Sequence, residues 1–371
     1  MLTIKVLNVI SDTNIGGAGK CILTFLKFYN REKFDVSVVV PKGSLLKEEI
    51  EKLDAKCIEV DGISDKSFDL SAVKKLKKII KNEKPDIVHS HGSLSARIAA
   101  RKVKGVKVIY TRHSVFPPSK LISKGIGKKI NGVVNNHYSD KIIAVAEAAK
   151  LNLTDTGVDE NKIIVIKNGV ERLEIISHEE KRALKSNYNV SEDEFLLGMI
   201  ARLTEVKGHI YALEALKNLI DDGIKVKLLI AGTGPYEEEI RRKISELDIE
   251  QNVIMAGFVK NVTGIKNILD VELNASFGTE ATSLSLLEAM SLGVPAVVSD
   301  FGGNPGVIYN DVNGYIFPSK NADEMYKKIK LILTDEKVKT RLRNGACEVF
   351  EREFEAKIMT RKIEDVYLSV K

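Results

Sequence analysis

Two cations in the second half of the sequence have the type and position of a binding site for an anion. Arg202 and Lys207 lie between a predicted apolar strand and an amphipathic helix, in the segment LLGMIARLTEVKGHIYALEAL. Two cations at the carboxyl end of a strand suit a diphosphate, because an Arg guanidinium binds as a planar fork and a Lys ammonium as a point charge. Taken alone, they could equally be two solvated loop residues.

Two carboxylates further along the chain could bind the sugar hydroxyls of the same ligand. Glu280 lies in a predicted loop, and Glu288 follows eight residues later, two turns into an amphipathic helix. A carboxylate beside an apolar helix face needs a hydrogen-bond partner, and the vicinal hydroxyls of a ribose would satisfy Glu288. Glu280 can reach another sugar hydroxyl. The N–H groups that begin this helix suit a phosphate, and they belong to Thr282, Ser283 and Leu284.

A glycine turn follows the first predicted strand, in IKVLNVISDTNIGGAGKC. Gly16 and Gly17 let backbone N–H groups approach an anion at a helix N-terminus; the alternative is a turn needed only for chain reversal. The segment is not a Walker A loop, because Asn14 stands at the first glycine position and Cys21 replaces the Ser or Thr. It also lacks the dinucleotide fingerprint, which makes an NAD-dependent oxidoreductase a distant alternative.

Three histidines lie at or just after the ends of predicted strands. His89 and His91 have an i, i+2 spacing that metal ligands can have, but no third ligand follows at a suitable spacing, so no metal site is predicted. His113 follows Arg112 at the end of the next strand, and we expect it to contact substrate. An isolated histidine in such a place can also be purely structural.

The elements that must position these residues are short apolar strands alternating with amphipathic helices, which is typical of a parallel-sheet α/β protein. The series begins with strands at 4–10 and 34–40 and starts again with strands at 196–201 and 226–231. The sheet is therefore predicted to be built twice.

The turn at Asn168-Gly169-Val170 separates the two series. We predict a first domain over 1–170 and a second domain over 171–349, which starts with a charged connector reaching about residue 193. Charged helices are expected over 337–370. Because open α/β sheets bind ligands at the carboxyl ends of their strands, two such domains face to face would place a ligand between them.

Composition limits the possible class of protein. The 371 residues are 44% hydrophobic and 29% charged, as in a soluble globular chain. No stretch approaches about 18 apolar residues and no signal peptide is predicted. Three separate cysteines exclude a disulfide framework, so a cytoplasmic setting is expected.

The net charge of +6 is uneven, and this suggests two domains with different partners. Residues 1–170 carry 30 basic and 18 acidic side chains, and residues 171–371 carry 27 and 33. Two basic segments, 73–81 and 117–138, alternate lysines with apolar residues at helical spacing. They are either surface helices with solvated lysines or a docking surface for an anionic membrane.

These motifs together resemble the family 4 glycosyltransferases, also called glycosyl transferases group 1. The resemblance covers essentially the whole chain and is most specific in EATSLSLLEAMSLGVPAVVSDFGGNPGVI, where Thr282-Ser283 stand in place of the commoner Phe-Gly. It implies the GT-B architecture, in which two Rossmann-like parallel-sheet domains face a central cleft. It also implies that a final helix over 350–371 crosses back onto the first domain.

The resemblance implies a role for each charged candidate. Arg202 and Lys207 would hold the donor diphosphate and neutralise the leaving group, Glu288 would hold the ribose, and Glu280 would contact the transferred sugar. His113 would lie near the reacting carbon. Backbone contacts to phosphates, acceptor and nucleotide would come from Gly16, Gly17, Gly232, Gly234 and the loop 257–260.

The activity that the resemblance implies is transfer of a sugar, with retention of configuration, from a nucleotide-diphosphate sugar to an acceptor hydroxyl. A UDP-sugar donor and a glycan or lipid-linked acceptor are expected, in polysaccharide or cell-envelope synthesis, with the enzyme peripheral to the inner membrane face. No nucleic acid is expected as a partner. The sequence has no D-x-D motif, so neither a metal ion nor a cofactor is expected.

Two alternatives remain open. A sugar-nucleotide 2-epimerase of the same fold would act without an acceptor, and a non-catalytic partner subunit would only stabilise another transferase. The presence of Arg202, Lys207, Glu280 and Glu288 argues against both.

Overall fold

The structure is a computed structural model that describes residues 3–115 and 118–371. The chain forms two compact units, each with its own parallel sheet. The first unit contains the residues up to Gly169 together with Ala356–Lys371, and the second contains Val170–Glu355. We call them the first and second domains.

The first domain has a seven-stranded parallel sheet in the order β3-β2-β1-β4-β5-β6-β7. Both faces are covered, so its strands are almost continuously apolar. The strands are β1 (Ile4–Ile10), β2 (Phe34–Pro41), β3 (Lys56–Val60), β4 (Ile87–His91), β5 (Lys107–Arg112), β6 (Lys141–Ala144) and β7 (Ile163–Val165).

Helices connect these strands and cover the sheet. They are α1 (Gly17–Phe28), α2 (Leu46–Glu51), α3 (Leu70–Glu83), α4 (Leu94–Arg101), α5 (Lys120–Ser123), α6 (Gly125–His137) and α7 (Glu147–Asp155). Helix α3 begins where the Asp69 side chain accepts hydrogen bonds from the N–H groups of Ser71 and Ala72, which are otherwise unsatisfied. No described helix is long and apolar enough to span a membrane.

The second domain repeats the arrangement with six parallel strands in the order β10-β9-β8-β11-β12-β13. The strands are β8 (Phe195–Ile200), β9 (Val226–Ala231), β10 (Val253–Gly257), β11 (Val271–Asn274), β12 (Ala296–Ser299) and β13 (Gly314–Phe317). The helices are α8 (His178–Asn187), α9 (His209–Asp221), α10 (Glu237–Glu246), α11 (Thr263–Ile268), α12 (Leu284–Met290), α13 (Ala322–Thr334) and α14 (Glu336–Val349).

Helix α8 lies within the segment that is predicted as a charged connector. A capping box starts this helix: the Ser177 hydroxyl accepts from the Glu180 N–H, and the Glu180 side chain accepts from the Ser177 N–H. The helix was overlooked because it has no fully buried residue and therefore a weak apolar pattern.

The last helix, α15 (Ala356–Val370), belongs to the first domain. Its apolar face, which includes Ile363 and Tyr367, packs into the same core as Ile22 and Phe25 of α1. The prediction of a helix that returns to the first domain from residue 350 needs correction, because the return begins only at Ala356.

Residues 350–355 instead remain with the second domain. Phe350 and Phe354 are fully buried there, in a core that also contains Leu286 and Met290. The Val170 N–H donates to the Phe354 carbonyl (3.0 Å), which joins the first residue of this domain to its last turn. The second domain therefore runs over 170–355 rather than 171–349.

Candidate functional site

The charged candidates follow two strands that are neighbours in the second sheet although they are far apart in the chain. β8 and β11 pair directly, at the point where the strand order changes direction. Open α/β sheets bind ligands outside the carboxyl ends of their strands at this point. Arg202 follows β8 by two residues, Lys207 ends the next short turn, and Glu280 lies in the loop after β11.

Lys207 and Glu280 form an ion pair. Lys207 Nζ lies 2.8 Å from Glu280 Oε2 and 3.3 Å from the Thr279 carbonyl oxygen. The same Oε2 accepts hydrogen bonds from Asn274 Nδ2 and Ser276 Oγ, both at 3.2 Å. Within the described residues all three donors meet this one oxygen, which leaves Oε1 to accept a hydrogen bond from a ligand.

Arg202 is exposed and forms no ion pair with any described residue. Its backbone is nevertheless fixed, because Leu203 donates to the Thr233 carbonyl (3.0 Å) and Thr204 to the Arg202 carbonyl (2.9 Å). The guanidinium therefore stands on an ordered loop with its charge available to an anion.

Gly232 and Gly234 pack against the loop that carries Arg202. A Cβ on Gly232, whose φ is +146°, would lie 2.0 Å from the Ala201 carbonyl oxygen, and one on Gly234 would lie 2.2 Å from that of Leu203. Only glycine permits this approach. These residues thus shape the Arg202 loop, and their predicted contact with the nucleotide stays a prediction.

Glu288 lies on α12, and its charge acts on a buried ion pair. Lys266 (0% exposed) and Glu272 (1% exposed) are joined by a contact of 2.5 Å, and the Ser285 hydroxyl bonds to both at 2.6 Å. Burial raises the pKa of Glu272; the charge of Lys266 lowers it in part and that of Glu288 raises it further. Ser285 is in the first turn of α12, so the pair ties β11 to the helix that carries Glu288.

The start of α12 also contains the predicted phosphate-binding residues Thr282, Ser283 and Leu284. The Ser283 hydroxyl caps the helix by accepting from the Leu286 N–H. The preceding loop packs against Gly302 and Gly303. The Gly303 N–H donates to the Glu280 carbonyl oxygen (3.0 Å), and a Cβ on Gly302 (φ +61°) would lie 2.2 Å from the same oxygen.

Sequence reasoning missed several polar residues around this cluster. Asn274 ends β11, so the rule that selected Arg202 would also have found it. Asn304 is fully buried and donates to Ser299 Oγ (3.1 Å), while its Oδ1 has no hydrogen-bond partner among the described residues. In the part of the chain that the structure describes, buried His209 has no hydrogen-bond partner at either ring nitrogen. Burial, helped by the charge of the adjacent Lys207, lowers its pKa to about 4.

In the first domain, Gly16 and Gly17 lie between β1 and α1. Gly16 has a φ of −88°, and a Cβ on either glycine would meet nothing within 4 Å. Packing within this domain therefore gives no reason for glycine at these two positions. Gly19 differs, because a Cβ there would lie 2.8 Å from Leu46 Cδ2.

The three predicted histidines lie together at the carboxyl ends of β4 and β5. His91 Nδ1 is 2.8 Å from His113 Nε2, and His91 Nε2 is 2.9 Å from Asn8 Oδ1. His89 bonds separately to the Tyr367 hydroxyl (2.7 Å) and to Thr111 Oγ1 (2.6 Å). No three His, Cys, Asp or Glu side chains of the described residues form a group suited to a metal ion.

Burial keeps all three histidines neutral. It lowers the pKa of His113 to about 4 and that of His89 to about 3, with a small further effect of His113 on His89. The pKa of His91 also falls well below its usual value for the same reason. The site in this domain is thus polar but uncharged at these side chains.

Comparison with known proteins identifies the class that this fold and site define. The family described as "Glycosyl transferases group 1" matches residues 180–349, and "Glycosyltransferase Family 4" matches residues 15–172. The protein is a glycosyltransferase built from two Rossmann-like domains. It belongs to the group 1, or family 4, glycosyltransferases, as the sequence resemblance predicts.

Three similar proteins are informative. The UDP-Gal:alpha-D-GlcNAc-diphosphoundecaprenol alpha-1,3-galactosyltransferase of Escherichia coli is 25% identical over 99% of this chain and 97% of its own. CapM of Staphylococcus aureus, a capsular polysaccharide biosynthesis glycosyltransferase, is 23% identical over 92% of each chain. Anabaena HepE, solved with UDP and glucose, shares the fold with a TM-score of 0.86, 19% identity and coverage of 99% and 100%.

The depressed histidine pKa values predict that stability falls in mild acid. Below about pH 6.5 these histidines bind protons in the unfolded chain but stay neutral in the folded protein. Each histidine therefore lowers the free energy of unfolding by at most about 1.4 kcal/mol per pH unit. For His113 this loss continues down to its folded pKa of about 4. Urea unfolding followed by circular dichroism between about pH 7 and about pH 5 measures the slope.

A matched pair of variants isolates the effect. His113→Gln should flatten the slope of unfolding free energy against pH, whereas His137→Gln, at an exposed position, should leave it unchanged. Equal slopes in the two variants would show that His113 is not held neutral by the fold.

Proposed function

We propose that the protein transfers a sugar from a UDP-sugar to an acceptor hydroxyl in cell-envelope glycan synthesis, with retention of configuration and without a metal ion. The observation that carries the proposal is the cluster at the ends of β8 and β11. It combines the Lys207–Glu280 pair, at 2.8 Å, with the exposed Arg202 two residues beyond β8.

The two cations have different tasks in this reaction. Arg202 has no acid partner among the described residues, so its planar guanidinium can bind the donor diphosphate in a bidentate manner. Lys207 is held by Glu280 and would turn from that carboxylate to the phosphate that leaves. Each such contact contributes about 2–4 kcal/mol to the transition state when it stabilises developing negative charge.

The carboxylates bind the neutral parts of the donor. Glu280 has one oxygen bonded to Lys207, Asn274 and Ser276, and the other is positioned to accept a hydroxyl of the transferred sugar. Glu288 would accept the ribose hydroxyls from α12. The backbone at Gly16-Gly17, where a Cβ would meet nothing within 4 Å, would lie against the phosphates and the acceptor.

The similar proteins support the choice of donor and acceptor. The name of the Escherichia coli relative specifies UDP-Gal and a diphosphoundecaprenol acceptor, and HepE was solved with UDP and glucose. CapM acts in capsular polysaccharide biosynthesis. Retention of configuration is part of the proposal and rests on the resemblance to this family.

Two other functions predict different products. A 2-epimerase would convert the donor without any acceptor, and a non-catalytic subunit would leave the donor unchanged. Incubation of the isolated chain with UDP-sugars, with and without a lipid-linked glycan, separates all three. The proposed transferase forms a glycosylated lipid and UDP in the presence of EDTA, whereas metal-dependent transfer would stop.

Binding of the donor can be measured without knowledge of the acceptor. A UDP-sugar at 100 times its dissociation constant should stabilise the protein by about 2.7 kcal/mol, and this raises its melting temperature. GDP- and ADP-sugars should give smaller shifts. Lys207→Ala or Glu288→Ala should abolish the shift, because each removes a contact to the donor.

The matched control is Arg241→Ala, which removes an exposed cation paired with Glu237 on the surface of the same domain. It should respond to the donor as the wild type does. A full response from both Lys207→Ala and Glu288→Ala would contradict the assigned site.

The proposed lipid-linked acceptor requires contact with a membrane, and the surface of α5 and α6 suits it. Leu121, Ile126 and Val133 are 81%, 77% and 68% exposed. They alternate with the exposed lysines 120, 124 and 129. An exposed apolar stripe flanked by lysines has the chemistry of an anionic lipid surface.

The other basic segment, 73–81, lies in α3 and presents no comparable exposed apolar stripe. In α3, the apolar residues Val73, Leu76 and Ile80 are buried in the core of the first domain. The alternative of a packed surface helix with solvated lysines therefore describes α3, and the docking surface consists of α5 and α6 alone.

Replacement of Lys120, Lys124 and Lys129 by Gln should weaken binding to anionic vesicles about 100-fold, since each lysine near such a surface contributes about 1 kcal/mol. Vesicle co-sedimentation at low and high salt measures the effect. Replacement of Lys74, Lys78 and Lys81 in α3 removes the same charge and should have little effect. Binding that ignores lipid charge and salt would exclude this docking surface.

A further inference from the structure

One buried strand of the second sheet carries polar side chains on one of its faces. In β11, Val271 and Leu273 lie in the core that α9 and α13 cover. Glu272 and Asn274 point to the opposite face, because side chains alternate along a strand. Both are buried, at 1% and 8% exposure. Strands of a parallel sheet covered on both faces are normally apolar throughout, so the packing of the sheet does not account for these two residues.

The two polar side chains hold the two segments that carry the candidate acids. Asn274 Nδ2 donates to Glu280 Oε2 (3.2 Å), in the loop after β11. Glu272 Oε1 accepts a hydrogen bond from the Ser285 hydroxyl (2.6 Å), in the first turn of α12. Glu288 follows Ser285 by three residues, and residues three apart are neighbours on a helix surface. One face of β11 therefore reaches both acids, Glu280 directly and Glu288 through Ser285.

Lys266, on α11, completes the contact between strand and helix. Its ammonium lies 2.5 Å from Glu272 Oε1 and 2.6 Å from the Ser285 hydroxyl, so the three groups form a closed triangle. The lysine donates to both groups, and the serine donates to the carboxylate. The charge of Glu288 raises the pKa of Glu272. This effect places the acid of α12 near the triangle.

Stability alone gives no reason for charged groups in this place. Lys266 is 0% exposed and Glu272 1%, and the removal of two such charges from water can cost more than their attraction returns. Glu272 Oε2 is also buried, and it has no hydrogen-bond partner within the described part of the chain. Apolar side chains of similar volume would avoid these costs. They would lack direction, however, because hydrogen bonds fix the geometry of a contact more closely than apolar packing does.

We propose that Lys266, Glu272 and Ser285 are positioning residues, which fix the first turn of α12 on β11 and thereby place the Glu288 carboxylate for the ribose of the donor. Helix α12 has only seven residues, and helices this short are marginal by themselves. The position of Glu288 therefore depends on the side chains that anchor its helix. The contact between strand and helix lies within the second domain, and only the ribose rests on the proposed function.

Ser285→Ala removes the link to α12 and leaves Lys266 paired with Glu272, so the protein should fold. The probe is UDP, which contains the ribose and the diphosphate. We expect its dissociation constant, measured by titration calorimetry, to rise about 10-fold, as for the loss of a hydrogen bond to a charged group. An affinity equal to that of the wild type would overturn the proposal.

The matched control is Lys339→Met. It breaks a comparable ion pair, between Lys339 and Asp270 (3.0 Å), which lies just before β11 and involves α14 instead of α12. This variant should bind UDP as the wild type does. A loss equal to that in Ser285→Ala would show that any weakened pair beside β11 impairs binding, and it would exclude a specific positioning role.

A double-mutant cycle separates positioning from a general loss of structure. Glu288→Gln removes the charge that would bind the ribose but keeps the shape of the side chain. If Ser285 acts through Glu288, Ser285→Ala should weaken UDP binding much less in the Glu288→Gln protein than in the wild type. Equal losses in the two backgrounds would show that Ser285 acts independently of Glu288, against the proposal.

Replacement of both charges separates positioning from stability. Lys266→Met combined with Glu272→Leu fills the same space with apolar side chains, so the free energy of unfolding in urea should stay the same or rise. UDP binding should nevertheless weaken about as much as in Ser285→Ala. A stable double variant that binds UDP as tightly as the wild type would contradict the positioning role.

Hydrogen exchange of the free protein tests the anchor without any ligand. The amides of α12 should exchange about 5-fold faster in Ser285→Ala than in the wild type, because the loss of one hydrogen bond makes local opening easier. Lys339→Met should leave them unchanged. Equal protection of α12 in Ser285→Ala and the wild type would refute the anchor. If the wild type does not bind UDP, the proposed function fails, whereas the exchange rates still decide whether the triangle holds α12.

Discussion

The ion pair between Lys207 and Glu280 is the interaction on which the proposed donor site depends. It joins the loop after β8 to the loop after β11, and it exists because the strand order changes direction between these two strands. Asn274 and Ser276 bond to the same carboxylate oxygen, so Glu280 cannot turn away from Lys207 without losing two further hydrogen bonds. The pair therefore fixes both a cation and a free carboxylate oxygen before any ligand binds.

The two domains use the same sheet topology for different chemistry. In the second domain the strand ends carry charges, with Arg202 exposed and Lys207 paired, as suits an anionic diphosphate. In the first domain the strand ends carry the neutral histidines 89, 91 and 113, whose burial lowers their pKa values. These side chains therefore bring no positive charge to this edge of the first sheet.

The fold was largely predictable because strands in a sheet covered on both faces are short apolar runs. The predicted strands at 4–10 and 226–231 agree with the structure at both ends. Helix α8 was missed because it buries no residue completely. The return to the first domain was placed too early, because the burial of Phe350 and Phe354 in the second core depends on tertiary packing that helical periodicity does not show.

The sequence pointed to candidate site residues but not to the hydrogen bonds and ion pairs between them. Strand ends and spacing pointed to Arg202, Lys207, Glu280 and His113, whereas the pairing of Lys207 with Glu280 requires two loops to meet across 73 residues. The buried pair of Lys266 and Glu272 was missed for a similar reason. A lysine in an apolar run, as in IKNILDVEL, was the one sequence signal of a buried partner.

A crystal structure of the protein with a bound UDP-sugar would show directly whether Arg202 and Lys207 hold the diphosphate. We predict that the diphosphate lies within hydrogen-bond distance of Arg202 and Lys207, with Glu288 on the ribose and no cation between the phosphates and the protein. A diphosphate bound elsewhere, or held through a metal ion while Arg202 and Lys207 remain in solvent, would contradict it.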